Sequence, residues 1–260
     1  MIYTVMKITV HISFFYIEKR IRYINQIIGE TNQYDLPTDI FIHTNNPDLQ
    51  ASDFDRYING AIQIVWHDLT GIHPYYLTWK CRALLREQRN NYDIFMYIED
   101  DILVPRKAIA YWLEHHELLV SKGYNLGFAR IDTSEDGEEY MTDLYGERLD
   151  TLGISNNNVY CVNNKNPYCA FWIYDKREFN RFVDSIYYDI RNIPEYAVRE
   201  MSAIGLHGIT NYWYKKTLIP IICGQLHRDC RVYHLPSNYV SDKDSLFATI
   251  KFTEAIENLP

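Results

Sequence analysis

Hydrophobic and polar residues alternate from Lys7 to Phe14, with Ile8, Val10, Ile12 and Phe14 on one side and Thr9, His11 and Ser13 on the other. A period of two marks a half-buried strand, because successive side chains of an extended chain point to opposite faces. The period then changes. Ile17, Ile21, Ile24 and Ile28 recur at helical spacing over Glu18 to Ile28, and Gly29 stands where a helix would end. Asp39 to Thr44 and Ala61 to Trp66 read as two more strands, the first closed by Asn45, Asn46 and Pro47. Pro74 opens a second helix on which Leu77, Cys81, Leu84 and Leu85 share a face while Lys80, Arg82 and Arg86 lie elsewhere. Asp93 to Ile98 is apolar on both faces apart from Tyr97, the pattern of a central strand in a covered sheet, and runs straight into Glu99, Asp100 and Asp101. A third amphipathic helix begins at Pro105, turns Ile109, Trp112, Leu113, Leu119 and Val120 inward, and ends at Gly123.

Beyond Gly123 the pattern is less regular. Strands are expected at 125–131, 159–162, 169–174 and 217–222, helices at 176–190 and 195–206, and a long loop or hairpin region over the Asn- and Asp-rich stretch 132–158. Alternating strands and helices in the first half predict an α/β fold, with a mixed, mostly parallel central sheet flanked by helices and ligands bound beyond the C-terminal ends of its strands. No repeat or linker interrupts the chain, so a single domain over 1–260 is expected, with a division into halves at 104 and 105.

Composition narrows the classes. The chain has 260 residues, 47% of them hydrophobic and 23% charged, which suits a folded domain with a proper core rather than a disordered segment. Its formal net charge of -8 argues against a general electrostatic grip on nucleic acid. Five cysteines with no CxxC spacing point to reduced, mostly buried thiols, and the longest apolar run near the start, Ile8 to Ile17, is too short for a membrane span. Together these favour a cytoplasmic protein with no signal peptide or transmembrane segment. The 23 tyrosines and 5 tryptophans fit either sugar-stacking surfaces or ordinary core material.

The strongest chemical signal is MYIEDDILVP, residues 96–105. Three consecutive carboxylates after a buried strand repel one another unless a counter-charge is near, and a divalent cation with hard oxygen ligands, Mg²⁺ or Mn²⁺, is a common remedy. The bland alternative is a cap for the following helix with the other carboxylates in solvent.

A hydrophobic strand ending in such a triplet, after β-α-β-β-α, resembles the GT-A class of nucleotide-sugar-dependent glycosyltransferases, with Glu99, Asp100 and Asp101 in the place of that class's DxD motif. Further blocks look like members of the same group in the same order: HPYYLTWKCR, YWLEHHELL, GFARID, NPYCAFWIYDK, REMSAIGL and HLPSNY, so that the likeness runs from His73 to Tyr239. The resemblance implies a GT-A (Rossmann-like) sheet, a nucleotide-sugar-binding half over 1–104 and an acceptor-binding half over 105–260. It also implies a metal held by Asp101 and Glu99 that bridges the donor's phosphates and acts as Lewis acid toward the departing nucleoside diphosphate. Asp100 is assigned to the ribose or the transferred sugar; the sequence carries Glu where the motif has its first Asp. A late histidine completes the metal shell in that class, and His234 is the choice here, with His207 and His227 as rivals.

Strand ends place His11, Ser13, Phe14 and Phe15, together with Thr44, Asn45 and Asn46, near the base and ribose, although Asn45 and Asn46 also suit a simple turn. Lys80 and Arg82 carry charge suited to a diphosphate, or form the solvated face of their helix. An inverting transfer needs a base for the acceptor hydroxyl. Glu200 is the first candidate, Asp143 the second, with Asp132 and Asp175 behind them; a surface pair with Arg199 is the alternative for Glu200. The expected activity is transfer of a sugar from a nucleoside-diphosphate sugar, UDP-sugar favoured, to a hydroxyl of a carbohydrate acceptor. A glycan-binding module without turnover and a sugar nucleotidyltransferase are the alternatives, the latter disfavoured by the lack of a glycine-rich loop after the first strand.

Overall fold

In the computed structural model the described residues are 5–154, 158–163, 165–190, 198–205 and 216–257. The chain is α/β, with mixed sheets flanked by helices, and it divides into two compact units. The first comprises 1–102 and 170–205, the second 103–169 and 206–260. The chain therefore crosses between units three times, whereas the sequence suggested one division at 104.

In the first unit β1 (Ile8–Phe14), β2 (Thr38–Thr44), β3 (Ile62–Trp66), β4 (Ile94–Glu99) and β5 (Phe171–Asp175) form one sheet in the order β5-β4-β1-β2-β3. Its first four strands are parallel and β5 runs antiparallel beside β4. Every residue of β1, β2 and β4 is buried, as a strand covered on both faces requires. The helices are α1 (Ile21–Thr31), α2 (Leu77–Glu87), α3 (Lys176–Val183) and α4 (Val198–Ile204). Short 3-10 turns at Glu18–Arg20 and Pro74–Tyr76 lead into α1 and α2.

Gly29 does not end α1, which runs on to Thr31; the Thr31 hydroxyl donates to the Ile27 carbonyl, and Asn32 forms the C-cap. An aromatic core lies against β4 and β5: Phe95 stacks on Phe179 at 3.9 Å, and Trp172 lies between Tyr97 at 5.9 Å and Tyr174 at 5.0 Å. The expected helix 176–190 stops at Val183, where a Ser185-capped 3-10 turn (Ile186–Tyr188) replaces it.

The second unit holds two sheets. One orders Gln225–Leu226, Thr217–Ile222, Asn158–Val162 and Asp150–Ile154, with Asn125–Leu126 parallel to Thr217–Ile222. The other orders Ile250–Lys251, Glu139–Met141, Ala129–Thr133 and Arg231–His234. The strand expected at 125–131 is broken at Gly127, whose backbone lies so close to its neighbour that a Cβ would meet Thr217 Cγ2 at 2.7 Å and Ile219 Cγ1 at 2.9 Å. The polar stretch 132–158 carries the antiparallel partner of Ala129–Thr133 rather than loop alone. Helix Arg106–Ser121 ends before Gly123, which takes a φ of 84°.

Cys81, Cys161, Cys169 and Cys230 are buried thiols, and Cys223 is an exposed one. Among the described residues no helix is long and apolar enough to cross a membrane.

Candidate functional site

The C-terminal ends of β1 and β4 open into a pocket of about 290 Å³ within the first unit. Parallel pairing of the two strands, with Ser13 opposite Glu99, brings the Ser13 hydroxyl and the acidic triplet to the same end of the sheet. Glu99, Asp100 and Asp101 line the floor. Phe15 and Ile17 follow β1, and Tyr75 and Thr78 come from the start of the α2 segment. Arg20 and Arg199 supply the cations.

Charge is concentrated here. The Asp100 and Asp101 side chains are 6% and 13% exposed, and a single guanidinium spans both. Arg20 Nη1 donates to Asp100 Oδ1 and Oδ2 at 2.7 and 2.8 Å, and Nη2 donates to Asp101 Oδ2 at 2.6 Å. Glu99 faces Arg199, with 4.0 Å between Oε2 and Nε. Burial drives the Asp100 carboxyl above the usual carboxylate range, Asp101 and Glu99 add to the effect, and Arg20 opposes it. Burial also opposes the charge on Arg20, but Asp100 and Asp101 outweigh it and hold the guanidinium more firmly protonated than usual. Asp100 and Asp101 offer hard oxygen donors, the kind Mg²⁺ or Mn²⁺ takes, and in this structure Arg20 occupies them. Tyr75, 49% exposed, offers a ring face beside Arg199, whose guanidinium lies 5.4 Å from its centroid.

Other residues singled out by the sequence fall elsewhere. Arg82 is a correction: it is buried, donates to the carbonyls of Tyr187, Tyr188 and Ser202 at 3.0 to 3.1 Å, and lies over the rings of Trp79 and Phe182. It ties α2 to the segments on either side of 191–197 and is not available to a phosphate. Lys80, two residues earlier, is half-buried on α2 and does not line the pocket.

His11 is a second correction. Its side chain turns into the sheet's covered face, where Nε2 lies 3.0 Å from Gln88 Oε1 and Nδ1 lies 2.9 Å from His43 Nε2. His43 Nδ1 in turn lies 2.8 Å from His67 Nε2. An amide oxygen only accepts, so His11 donates through Nε2; each neutral ring then accepts at Nδ1 from the next, giving a one-way chain from His67 to Gln88. Burial lowers the His11 pKa to about 3 and the His67 pKa to about 4, the latter helped by Lys80, and it depresses His43 as well. Thr44 is fully buried, and Asn45 uses Oδ1 to accept from the Tyr16 backbone N–H at 2.8 Å, so this pair shapes the turn rather than facing the pocket.

Glu200 lies on α4, 40% exposed, and accepts from Arg199 Nη2 at 3.2 Å; its neighbour Arg199, not Glu200, lines the pocket. Asp175 caps the N-terminus of α3 by accepting from the Glu178 N–H at 2.7 Å.

His234, Asp132, Asp143 and His227 belong to the second unit. His234 Nδ1 lies 2.9 Å from Asp132 Oδ1, and Asp132 also accepts from Thr142 Oγ1 and the Tyr239 N–H, each at 2.9 Å. Burial would raise Asp132, but the bonds from His234 and Thr142 outweigh it and keep the carboxylate charged. Asp143 is a third correction. Fully enclosed, it takes Arg130 Nη2 on one oxygen and Nε on the other, so it is a structural counter-ion and not a base open to an acceptor. His227 accepts from the Asp229 N–H at 3.1 Å and packs its ring on Tyr111. His207 lies outside the described residues.

Sequence reasoning missed Arg20, Arg199, Tyr75 and Thr78. Arg20 sits between Ile17 and Ile21 in the helical register and reads as an ordinary polar position; only its pairing with a carboxylate eighty positions away reveals it. A scan against models of protein families finds no match for this chain, and a search of curated proteins finds none either.

Proposed function

We propose that this chain is a metal-dependent glycosyltransferase with a GT-A-like arrangement, moving a sugar from a nucleoside-diphosphate donor, UDP-sugar favoured, to a carbohydrate hydroxyl. The observation that carries the reading is the Glu99-Asp100-Asp101 triplet at the C-terminal end of β4, at the head of a parallel four-strand set and opening into a pocket with two arginines. Carboxylates there suit a cation or the hydroxyls of a sugar, and arginine beside them suits a diphosphate.

Arg20 gathers Asp100 and Asp101, so these two, in place of the Asp101–Glu99 pair expected from the sequence, are the residues that would hold the divalent ion, with Glu99 next to them; when bound, the ion would supply Lewis-acid stabilisation of the departing diphosphate. Ser13 and Thr78 offer hydroxyls to the donor, and Phe15 and Tyr75, both partly exposed, offer apolar faces for a base or sugar ring. Arg199 presents a second cation to the same pocket. Glu200, half-buried and outside the pocket lining but adjacent to Arg199 on α4, stays the first candidate to take a proton from an acceptor hydroxyl.

Release of the free nucleotide, UDP, GDP or CMP, from a panel of the corresponding nucleotide sugars, with Mn²⁺ or Mg²⁺ and then with chelator, tests this reading. The expected result is metal-dependent turnover or slow hydrolysis of one donor class, lost in Asp101→Asn. No release from any donor under any metal, by protein shown to be folded, overturns it.

A further inference from the structure

The acidic pair at the end of β4 already has a cation on it, and that cation belongs to the chain. Arg20 Nη1 takes both oxygens of Asp100 and Nη2 takes Asp101, so one guanidinium occupies the space between the two carboxylates. These oxygens are the ones a divalent ion would need. A guanidinium and a doubly charged ion sharing them a few ångströms apart in a partly buried pocket repel each other, so the two compete for the pair. Arg20 is 28% exposed, ends a single 3-10 turn and itself lines the pocket.

We infer that Arg20 is a resident counter-ion that must leave Asp100 and Asp101 for metal to bind, and that it then serves as a positioning residue for the diphosphate entering the same pocket. The inference rests on the metal-dependent reading above and adds to it. Before loading, the guanidinium neutralises a carboxylate pair that would otherwise be strained by burial and mutual repulsion. Loading releases a planar, always charged, bidentate donor on the wall that a diphosphate must pass, and Arg is well matched to phosphate oxygens in that role. Metal and donor would thereby bind with positive coupling: the ion frees the arginine, and the anion gives the freed arginine a partner.

Two dissociation constants test this on the full chain. Mn²⁺ binding without nucleotide is measured by electron paramagnetic resonance titration, and UDP binding at saturating Mn²⁺ by calorimetry, for wild type, Arg20→Gln and Arg20→Lys. The expected pattern is reciprocal: Arg20→Gln binds Mn²⁺ at least about tenfold more tightly and UDP at least about tenfold more weakly, with Arg20→Lys between. An arginine that only holds the fold together would weaken both when removed, and that outcome overturns the inference, as does Mn²⁺ affinity unchanged within about twofold. Arg20→Lys keeps a charge near the pair and guards against simple misfolding of the glutamine variant. If neither wild type nor variant binds Mn²⁺ or UDP, the metal-dependent reading itself falls and the inference with it; if both bind alike, only the inference falls.

Discussion

The three-histidine chain across β1, β2 and β3 makes a quantitative prediction about acid. His11 and His43 are fully buried and held neutral, with hydrogen bonds that leave no site for a second proton short of breaking one. An unfolded histidine titrates near pH 6.5, so below that pH the unfolded chain takes up protons that the fold refuses. Stability therefore falls as pH drops from about 7, and it continues to fall toward the depressed folded values, about 4 for His67 and about 3 for His11. Between pH 7 and pH 5 each histidine kept neutral contributes a loss of about 2 kcal/mol, so His11 and His43 together contribute about 4 kcal/mol. His67 is half-exposed and adds less. Carboxylates elsewhere titrate too, so the test is a difference. Urea unfolding followed by tryptophan fluorescence, at pH 7, 6 and 5, compares wild type with His43→Gln; the wild type is expected to lose about 2 kcal/mol more over this range. Equal pH slopes for the two proteins, or His11 and His43 imidazole resonances that titrate near pH 6.5 in the folded state, would refute the reasoning.

Other consequences follow from the same contacts. Arg82→Met removes a donor from three carbonyls, those of Tyr188 and Ser202 buried, and should cost about 2–3 kcal/mol in denaturant unfolding, while Mn²⁺ affinity of the folded fraction stays unchanged. Arg130→Ala leaves Asp143 enclosed without its partner, and a loss of about 3–5 kcal/mol is expected; it should be smaller at pH 5 than at pH 8, since burial already pushes Asp143 up to about 6 and protonation removes the unpaired charge. Glu200→Gln, at an exposed pair with Arg199, should change stability by less than about 0.5 kcal/mol, yet lower kcat at least about a hundredfold in a donor-to-acceptor assay. An unchanged kcat would remove Glu200 from the reaction.

Much of the first unit was legible because its signals are local. Strand alternation at Ile8–Phe14, the two-sided apolar run of Ile94–Ile98 and the proline at position 74 each announce their element without help from the rest of the chain. The acidic triplet was legible for the same reason: a strand that ends in three carboxylates needs a place to put them. What could not be read is what depends on distant partners. Polar residues on a strand look alike whether they face a pocket or a covered sheet face, so Ser13 reached the pocket and His11, two positions back on the same face, was absorbed by His43 and Gln88. Arg82 looked like a helix-surface cation because its helical register does not reveal that the Ile186–Tyr188 turn and α4 present carbonyls to it. Asp143 sat in a stretch expected to be loop or hairpin, in which the sequence marks no partner for a carboxylate; pairing of Glu139–Met141 with Ala129–Thr133 brings it to Arg130. Return of residues 170–205 to the first unit is likewise a long-range event, with β5 antiparallel beside β4 and no local mark to announce it.

The claim that matters most is that the pocket at the end of β4 binds a nucleoside diphosphate together with a divalent metal. Thermal unfolding of the full chain with UDP, GDP and CMP, each with and without Mn²⁺, measures it directly, since a ligand present at about a hundred times its dissociation constant adds about 2.7 kcal/mol to the folded state. The account predicts a rise in Tm with one diphosphate, UDP first, that requires Mn²⁺ and disappears in Asp101→Ala. Identical unfolding curves with every nucleotide, in the presence and absence of Mn²⁺, would contradict it.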